Sequence, residues 1–251
     1  MSENKQIVGG SGDPREDAIN ALFAGSVEDS MTITDLPSKG KFYDGFNGVE
    51  IKALTFLDEQ TILTAKDNNK DIVAKLLEKC IEGVDVGDLL SMDKLYLLMK
   101  VRELSYGKDY SFNIICPNCN ADIKSSLVLS EHLNMNPVPD DMEDPREVQL
   151  PRLKVTAKVR FPRGREESFL SSSEEVYKNL YRFVVSINDN SDPVFISKAL
   201  KRMHIQDIKT LIAGVNETEY GVDPKFLFEC PECRHTDTMA IPMDVGFFSV
   251  S

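Results

Sequence analysis

Four of the five cysteines lie in two short motifs of one type, Cys116-Pro-Asn-Cys119 and Cys230-Pro-Glu-Cys233. Proline at the second position holds φ at about −65° and starts a turn, which allows both sulfurs of a motif to face one cation. Two such turns supply the four thiolates of a tetrahedral site. We therefore predict that Cys116, Cys119, Cys230 and Cys233 bind one structural zinc ion, with iron as the alternative metal.

Strand-like residues flank both motifs, at 112–115 and 123–128 for the first and at 226–229 and 238–241 for the second. Strand, turn and strand is the form of a zinc knuckle. Because 110 residues lie between the two motifs, we predict a zinc-ribbon-like element split by an insertion. Many knuckles have glycine after the second cysteine, where φ is often positive. Asn120 tolerates that conformation, whereas Arg234 fits it less well.

Other uses of these cysteines agree less well with the pattern. A disulfide within either motif is strained and is unexpected in a reducing cytoplasm. A redox Cys-x-x-Cys motif starts a helix, whereas β-type residues follow both pairs here. Four thiolates leave no position for a reactive water, and the sequence lacks the Gly-x-Ser-x-Gly, His-Glu-x-x-His and dinucleotide-binding glycine patterns. We therefore predict that the protein is not an enzyme.

Two further residues that are able to bind a metal are assigned to structure. His235, two positions after Cys233, is an alternative ligand, but we expect it to be an exposed turn residue. Cys80 lies on the apolar face of a predicted helix, where it is expected to pack in the core.

The composition of the 251-residue chain excludes several classes of protein. Its formal net charge is −12 and its pI is about 4.8, a balance that disfavours binding to nucleic acid phosphates or to anionic membranes. No apolar run approaches the roughly 20 residues of a membrane-spanning helix, and the N-terminus lacks the pattern of a secretory signal. We predict a soluble, intracellular protein.

Apolar periodicity and turn residues predict an α+β fold that combines helical segments with short antiparallel strands. The predicted helices are 55–66, 70–81, 91–107, 173–187, 193–203 and 205–215. The predicted strands outside the knuckles are 41–43, 49–54 and either one strand or a strand pair in 149–161.

Composition divides the chain into five predicted segments. They are a flexible N-terminal tail (1–33) that includes a short amphipathic helix (14–25), an N-terminal α+β region with the first knuckle (34–133), an acidic Pro-rich connector (134–147), a C-terminal α+β region with a helical insertion and the second knuckle (148–244), and an apolar C-terminal tail (245–251). We expect the C-terminal tail either to cover the core or to insert into a neighbouring subunit. The carboxylates of the connector are expected to be solvated.

Basic residues alternate with apolar ones beyond the connector. We predict that they form an ordinary solvated face, with a docking surface for an acidic partner as the alternative. They are Arg152, Lys154, Lys158, Arg160, Arg163 and Arg165.

The order of several motifs resembles that of a known family. These motifs are Leu36-Pro-Ser-Lys-Gly-Lys-Phe-Tyr43, Leu54-Thr-Phe-Leu-Asp-Glu59, Ser91-Met-Asp-Lys-Leu-Tyr-Leu-Leu98, Val101-Arg-Glu-Leu-Ser-Tyr-Gly107 and the first cysteine motif. The sequence is similar to the baseplate hub proteins of T-even-like contractile-tailed bacteriophages, a family that includes hub assembly factors.

This resemblance implies a late viral protein that assembles the tail by protein–protein binding in the cytoplasm of the infected bacterium, either leaving afterwards or staying in the virion baseplate. Its implied partners are other hub or wedge proteins, without a small-molecule substrate, nucleic acid or membrane. The alternative function is a zinc-ribbon adaptor of a transcription or other nucleic-acid machine.

Overall fold

Helices and short strands alternate in the computed structural model, which describes residues 13–23, 30–64, 70–132, 135–216, 220–243 and 245–248. The helices are α1 (Pro14–Phe23), α2 (Phe56–Thr64), α3 (Lys70–Cys80), α4 (Ser91–Tyr106), α5 (Leu129–His132), α6 (Ser173–Asn179), α7 (Pro193–Leu200) and α8 (Ile205–Asn216). The strands are β1 (Ser30–Ile33), β2 (Val49–Lys52), β3 (Ile81–Glu82), β4 (Asp109–Ile115), β5 (Asp122–Val128), β6 (Met135–Asn136), β7 (Arg146–Gln149), β8 (Thr156–Val159), β9 (Val184–Ile187), β10 (Gly221–Val222), β11 (Lys225–Glu229) and β12 (Thr236–Ala240). Short 3-10 helices cover Val86–Asp88, Gly164–Leu170, Leu180–Arg182 and Val245–Phe248.

The strands of the described residues pair in five small sheets, and every pairing is antiparallel. Two sheets have three strands, in the orders β1-β2-β3 and β7-β8-β9. β4 pairs with β5 and β11 with β12 as hairpins, while β6 pairs with the distant β10. The predicted α+β class with short antiparallel strands is confirmed.

One hydrophobic cluster, which we name the first core, combines the two ends of the chain. Its buried residues lie between 33 and 129 and between 222 and 248. Because side chains alternate across a strand, β4 buries Tyr110, Phe112 and Ile114 on one face. The C-terminal segment closes this core, since Phe247 and Phe248 are both buried in it. Of the two alternatives predicted for the tail, covering the core is the one observed.

A second hydrophobic cluster, which we name the second core, comes from one continuous stretch of chain. Its buried residues all lie between 150 and 215. α8 contributes Ile208, Leu211 and Val215, whose spacing of three and four residues places them on one helix face. The sheet β7-β8-β9 packs under this helix, with Ala157 and Val159 fully buried.

Several predicted elements are confirmed with shifted ends. α7 lies within the predicted helix 193–203, and α8 extends one residue beyond the predicted 205–215. Residues 149–161 form part of the pair β7–β8 rather than one strand. Thr55 caps α2 as expected, with its hydroxyl oxygen accepting from the Asp58 N–H at 3.4 Å. The predicted tail residues 1–12 and the predicted helix start near residues 68–69 lie outside the described residues.

Two predicted elements are wrong. The helix predicted over 173–187 stops at Asn179, and its last residues form β9 instead. These residues are mostly β-branched, which favours a strand, and β8 is available to pair with them. The strand predicted at 41–43 is a chain of turns, because the N–H groups of Lys41 and Tyr43 donate to Ser38 O and Gly40 O.

No helix among the described residues has the length and apolar character needed to cross a membrane.

Candidate metal centre

Each cysteine motif occupies the turn of a hairpin, the first between β4 and β5 and the second between β11 and β12. In the first turn, Cys116 N–H donates to Ala121 O and Asn120 N–H donates to Cys116 O, both at 2.9 Å. The second turn repeats this pattern, with Cys230 in the place of Cys116. Two segments far apart in sequence therefore adopt the same local structure.

The residue after the second cysteine has a left-handed backbone in both turns. Its φ is 58° at Asn120, where the sequence allowed this conformation, and 59° at Arg234, where a poorer fit was expected. In both residues Cβ approaches the neighbouring carbonyl oxygen, but the short polar side chain of asparagine can compensate by local hydrogen bonding, whereas that of arginine does so less readily. The second turn therefore has the less suitable residue.

The two turns bring all four sulfurs together. Cys116 Sγ lies 3.7 Å from Cys233 Sγ, and Cys119 Sγ lies 3.7 Å from Cys230 Sγ. All four atoms lie within 4.8 Å of one another. Four sulfurs placed tetrahedrally at a Zn–S distance of about 2.3 Å are about 3.8 Å apart, so the spacing suits one such ion.

These distances argue against the disulfide alternative. A disulfide needs an S–S distance of about 2.05 Å, and all five cysteines are free thiols. In addition, both 3.7 Å contacts join one motif to the other rather than the cysteines of one motif. This geometry brings together the chain segments on either side of the 110 intervening residues.

The surroundings shift the pKa values of Cys233 and Cys119 in opposite directions. The Asn118 side-chain amide donates to Cys233 Sγ at 3.5 Å, and with the His235 backbone it lowers the pKa of Cys233 to about 6. At Cys119 the Ala121 backbone favours the thiolate, but desolvation and the three neighbouring sulfurs outweigh it and raise the pKa to about 12. A bound cation removes the repulsion that opposes ionisation of the whole set.

Aromatic side chains hold the two hairpins together beneath the sulfurs. Phe112 of β4 and Phe226 of β11 meet edge to face, with ring centroids 5.5 Å apart. Tyr110 donates a hydrogen bond from its hydroxyl to Pro242 O at 2.8 Å and meets the ring of Phe247 edge to face. The sulfur cluster therefore rests on the first core, which fixes its geometry.

Cys80 and the histidines do not join the cluster. Cys80 is buried in the first core, where burial raises its pKa to about 11, so its predicted packing role is confirmed. His235 is partly exposed and lies outside the group of possible metal ligands among the described residues. His204 accepts the N–H of Gln206 at the start of α8, and the side chain of His132 lies outside the described residues.

Sequence reasoning missed a second polar centre, around Asp93 in the first turn of α4. Asp93 is fully buried; its two oxygens accept from Ser38 N–H at 2.9 Å and from the Tyr43 hydroxyl at 2.5 Å. The Tyr43 oxygen in turn accepts from Leu90 N–H at 2.8 Å. The motif 36–43 therefore wraps around a buried carboxylate. An acidic residue in the first helical turn is common, so the sequence offered no specific signal.

The prediction that the connector carboxylates are solvated is wrong for Asp144. Its side chain is 3% exposed, and it accepts from Phe161 N–H at 2.9 Å and from Arg163 at 2.6 Å. Burial next to the third hydrophobic cluster, which includes Phe161, demands such partners.

Most of the predicted basic face is neutralised within the chain. Arg160 binds Glu166 through two hydrogen bonds of 2.8 and 2.6 Å. Arg165 pairs with Asp85 and Asp88. Together with the Asp144–Arg163 pair, these contacts leave little free positive charge for an acidic partner, in agreement with the predicted ordinary face.

The fold and the site together define a class, an α+β protein in which four cysteines from two distant hairpins converge on one point. A family model described as T4 bacteriophage base plate protein matches residues 29–249. Since the match covers most of the chain, the protein belongs to this family. No curated protein and no solved structure matches it. The protein is therefore a phage base plate protein, and its place in that assembly implies contacts with other base plate proteins.

Proposed function

We propose that the protein is a non-enzymatic component of the baseplate hub, or a factor that assembles the hub, and that it acts by binding other hub or wedge proteins. The family match over residues 29–249 is the observation that carries this proposal. The motifs that resemble those of hub proteins are the reason for proposing the hub rather than another part of the base plate. Assembly would take place in the cytoplasm of the infected bacterium, with retention in the virion baseplate as a possible end point.

We further propose that the four cysteines hold one structural Zn²⁺ and that the two turns are knuckles of a split zinc-ribbon-like element. The sulfur spacing of 3.7 Å supports this assignment. Bound zinc would supply a cross-link between β4–β5 and β11–β12, not a reactive water, because the four thiolates complete its coordination. This argument also supports a non-enzymatic role.

Metal analysis tests the site directly. The purified chain is expected to contain one zinc ion per molecule, measured by mass spectrometry of the metal, and Cys116→Ser or Cys230→Ser should abolish it. Cys80→Ser is the matched control, because it removes a buried thiol outside the cluster and should leave the zinc in place. Finding one iron per chain would revise the identity of the metal and keep the site. A natively folded chain without metal would refute the site.

Pairwise co-expression tests the function. The protein is expected to copurify with at least one hub protein of the same phage and not with tail tube or capsid proteins. Binding to duplex DNA at moderate salt would instead favour the nucleic-acid adaptor, which the net charge of −12 opposes. Binding to wedge proteins alone would refute the hub assignment while preserving the base plate one.

A further inference from the structure

An apolar groove lies on the surface of the second core, between α6, α7 and α8. It has a volume of about 290 Å³. Its floor includes Leu180 and Ile208, which are buried, and Leu200, which is partly buried. Tyr177 and Tyr181 line it and are 52% and 40% exposed. Tyrosines of this kind are enriched where proteins bind each other.

Two more exposed apolar residues extend the groove. Val194 lies three residues before Ser197 on α7, and Ile205 lies three residues before Ile208 on α8. Residues three apart share a helix face, and Ser197 and Ile208 both line the groove. Val194 and Ile205 are themselves well exposed. From this spacing we place Val194 and Ile205 beside the groove, and we name the groove with these two residues the apolar strip.

The α7–α8 side of this strip carries several cations in a chain whose net charge is −12. On the α6 side, Lys178 lines the groove and pairs with Glu174 and Glu175. Within the described residues, four exposed cations of α7, α8 and their connection form no ion pair. They are Lys198, Lys201, Arg202 and Lys209. Lys201 lines the groove itself. The nearby Asp207 is buried, so it does not offset their charge at the surface. The groove therefore suits an apolar segment that carries carboxylates.

Helix α1 of the same chain has that chemistry. Its residues 14–22 are all exposed, with Leu22 at 75%. Glu16, Ile19 and Leu22 follow one another at intervals of three residues, so a carboxylate and two apolar side chains share a face. A helix of ten residues is marginal in water and gains stability by packing. Thus the chain has an unpartnered acidic helix and an unpartnered basic groove.

We propose that α1 of one copy docks in the groove of a second copy. The chain leaves its own helix and its own groove both open. Seven residue steps from Phe23 to Ser30 span at most about 25 Å, and β1 then pairs within the first core rather than the second. One helix buries less surface than a standard interface of roughly 1,600 Å². The association is therefore expected to be weak and to be seen only at higher protein concentrations. This inference is independent of the metal and of the hub partner.

Light scattering during size-exclusion chromatography of the full chain tests the proposal. The measured mass should rise from monomer toward dimer or larger species as the concentration increases. Leu22→Glu and Ile205→Glu should each keep the protein monomeric. Phe56→Glu, which changes an apolar residue that is 81% exposed on α2, is the matched control and should not change the mass profile.

Mixing the two monomeric variants makes the test specific. The Leu22→Glu copy retains a groove and the Ile205→Glu copy retains a helix, so together they should form a complex that neither forms alone. A monomeric wild type at every concentration, or no complex in the mixture, would overturn the proposal. Docking of α1 within its own chain gives that monomeric result and refutes the proposal equally.

Charge reversal supplies an independent test. Lys198→Glu with Lys201→Glu should weaken association on the order of tenfold, because like charges then face each other. Adding Glu16→Lys and Asp17→Lys to the same chain should restore it. Lys124→Glu, an exposed site on β5, is the control and should have no effect. Loss of association without restoration would contradict the charge pairing on which the proposal depends.

Discussion

The first core and the second core differ in how the chain builds them. The buried residues of the second core all lie between 150 and 215, so its contacts close shorter loops than those of the first core. The first core joins residues 33–129 to residues 222–248 across all of the second. Closing a longer loop costs more conformational entropy. The cysteine cluster lies at the point where the two ends of this longer loop meet. A cross-link is thus expected to matter for one core and not for the other.

The buried carboxylates of the two regions differ in how fully they are hydrogen-bonded. Both oxygens of Asp93 accept hydrogen bonds, and its partners come from a segment about 50 residues away. Asp207 in the second core accepts from Arg152 N–H through one oxygen, while its buried Oδ2 has no partner among the described residues. Both carboxylates therefore link segments 50 to 55 residues apart, but within the described part of the chain only Asp93 of the two has a donor for each of its oxygens.

The largest predicted effect is loss of the first core on removal of the metal ligands. Cys116→Ser and Cys230→Ser should each cost on the order of 5 kcal/mol, since structural zinc is coupled to folding. Hydrogen exchange measured by mass spectrometry should show lost protection in β4, β5, β11 and β12, with protection retained in α8. Equal loss in both cores would remove the distinction between them.

The double substitution sharpens this test. If Cys116 and Cys230 bind the same ion, Cys116→Ser/Cys230→Ser should cost little more than either change alone, since coupled residues are not additive. Denaturant unfolding gives the three free energies. Additive losses would mean that the two turns act separately.

The buried carboxylates give the next largest effect. Asp93→Ala should lower the free energy of unfolding by about 3 kcal/mol, because it leaves the Ser38 N–H and the Tyr43 hydroxyl without an acceptor. Asp207→Ala removes one satisfied and one unsatisfied oxygen and should cost only about 1 kcal/mol. Urea titration gives the free energy of unfolding of both variants. A larger loss of stability in Asp207→Ala would contradict the greater stabilising role given to Asp93.

Asp93 also predicts a pH dependence. Burial raises the pKa of Asp93 above its usual value, although hydrogen bonds from Ser38 and Tyr43 partly oppose the shift. The folded protein therefore binds this proton more tightly than the unfolded chain, so its stabilising contribution is present below about pH 4 and is lost as pH rises through the folded pKa. Wild type should lose stability relative to Asp93→Asn over that range, measured by thermal unfolding; parallel curves would refute this.

The smallest effect concerns the two cysteine turns. Arg234→Gly should stabilise the protein by about 1 kcal/mol, because glycine relieves the cost of a left-handed arginine. Asn120→Gly should change stability less, since asparagine already tolerates this backbone. The two variants are compared by their melting temperatures, after metal analysis has shown that their metal content is unchanged. A larger gain at Asn120 would indicate that strain is not the cause.

Local chemistry explains which features were predictable from the sequence. Proline between the cysteines and strand residues around them predicted both turns, and periodic apolar residues predicted α8 and the packing of Cys80. The end of α6 was missed because the residues before β9 continue an apolar pattern, and only pairing with β8 decides their conformation. The Asp93 centre was missed because its partners, Ser38 and Tyr43, meet it only after folding.

The position of the C-terminal segment has a consequence for the order of folding during synthesis. Phe247 and Phe248 complete the first core, and Tyr106 donates a hydrogen bond to the carbonyl of Phe248 at 2.8 Å. The ribosome must therefore release almost the whole chain before α4 gains its final neighbours. Residues 150–215, which include every buried residue of the second core, emerge earlier. The second core is thus expected to fold on the ribosome. The first core, whose N-terminal residues are synthesised first, is expected to be completed last.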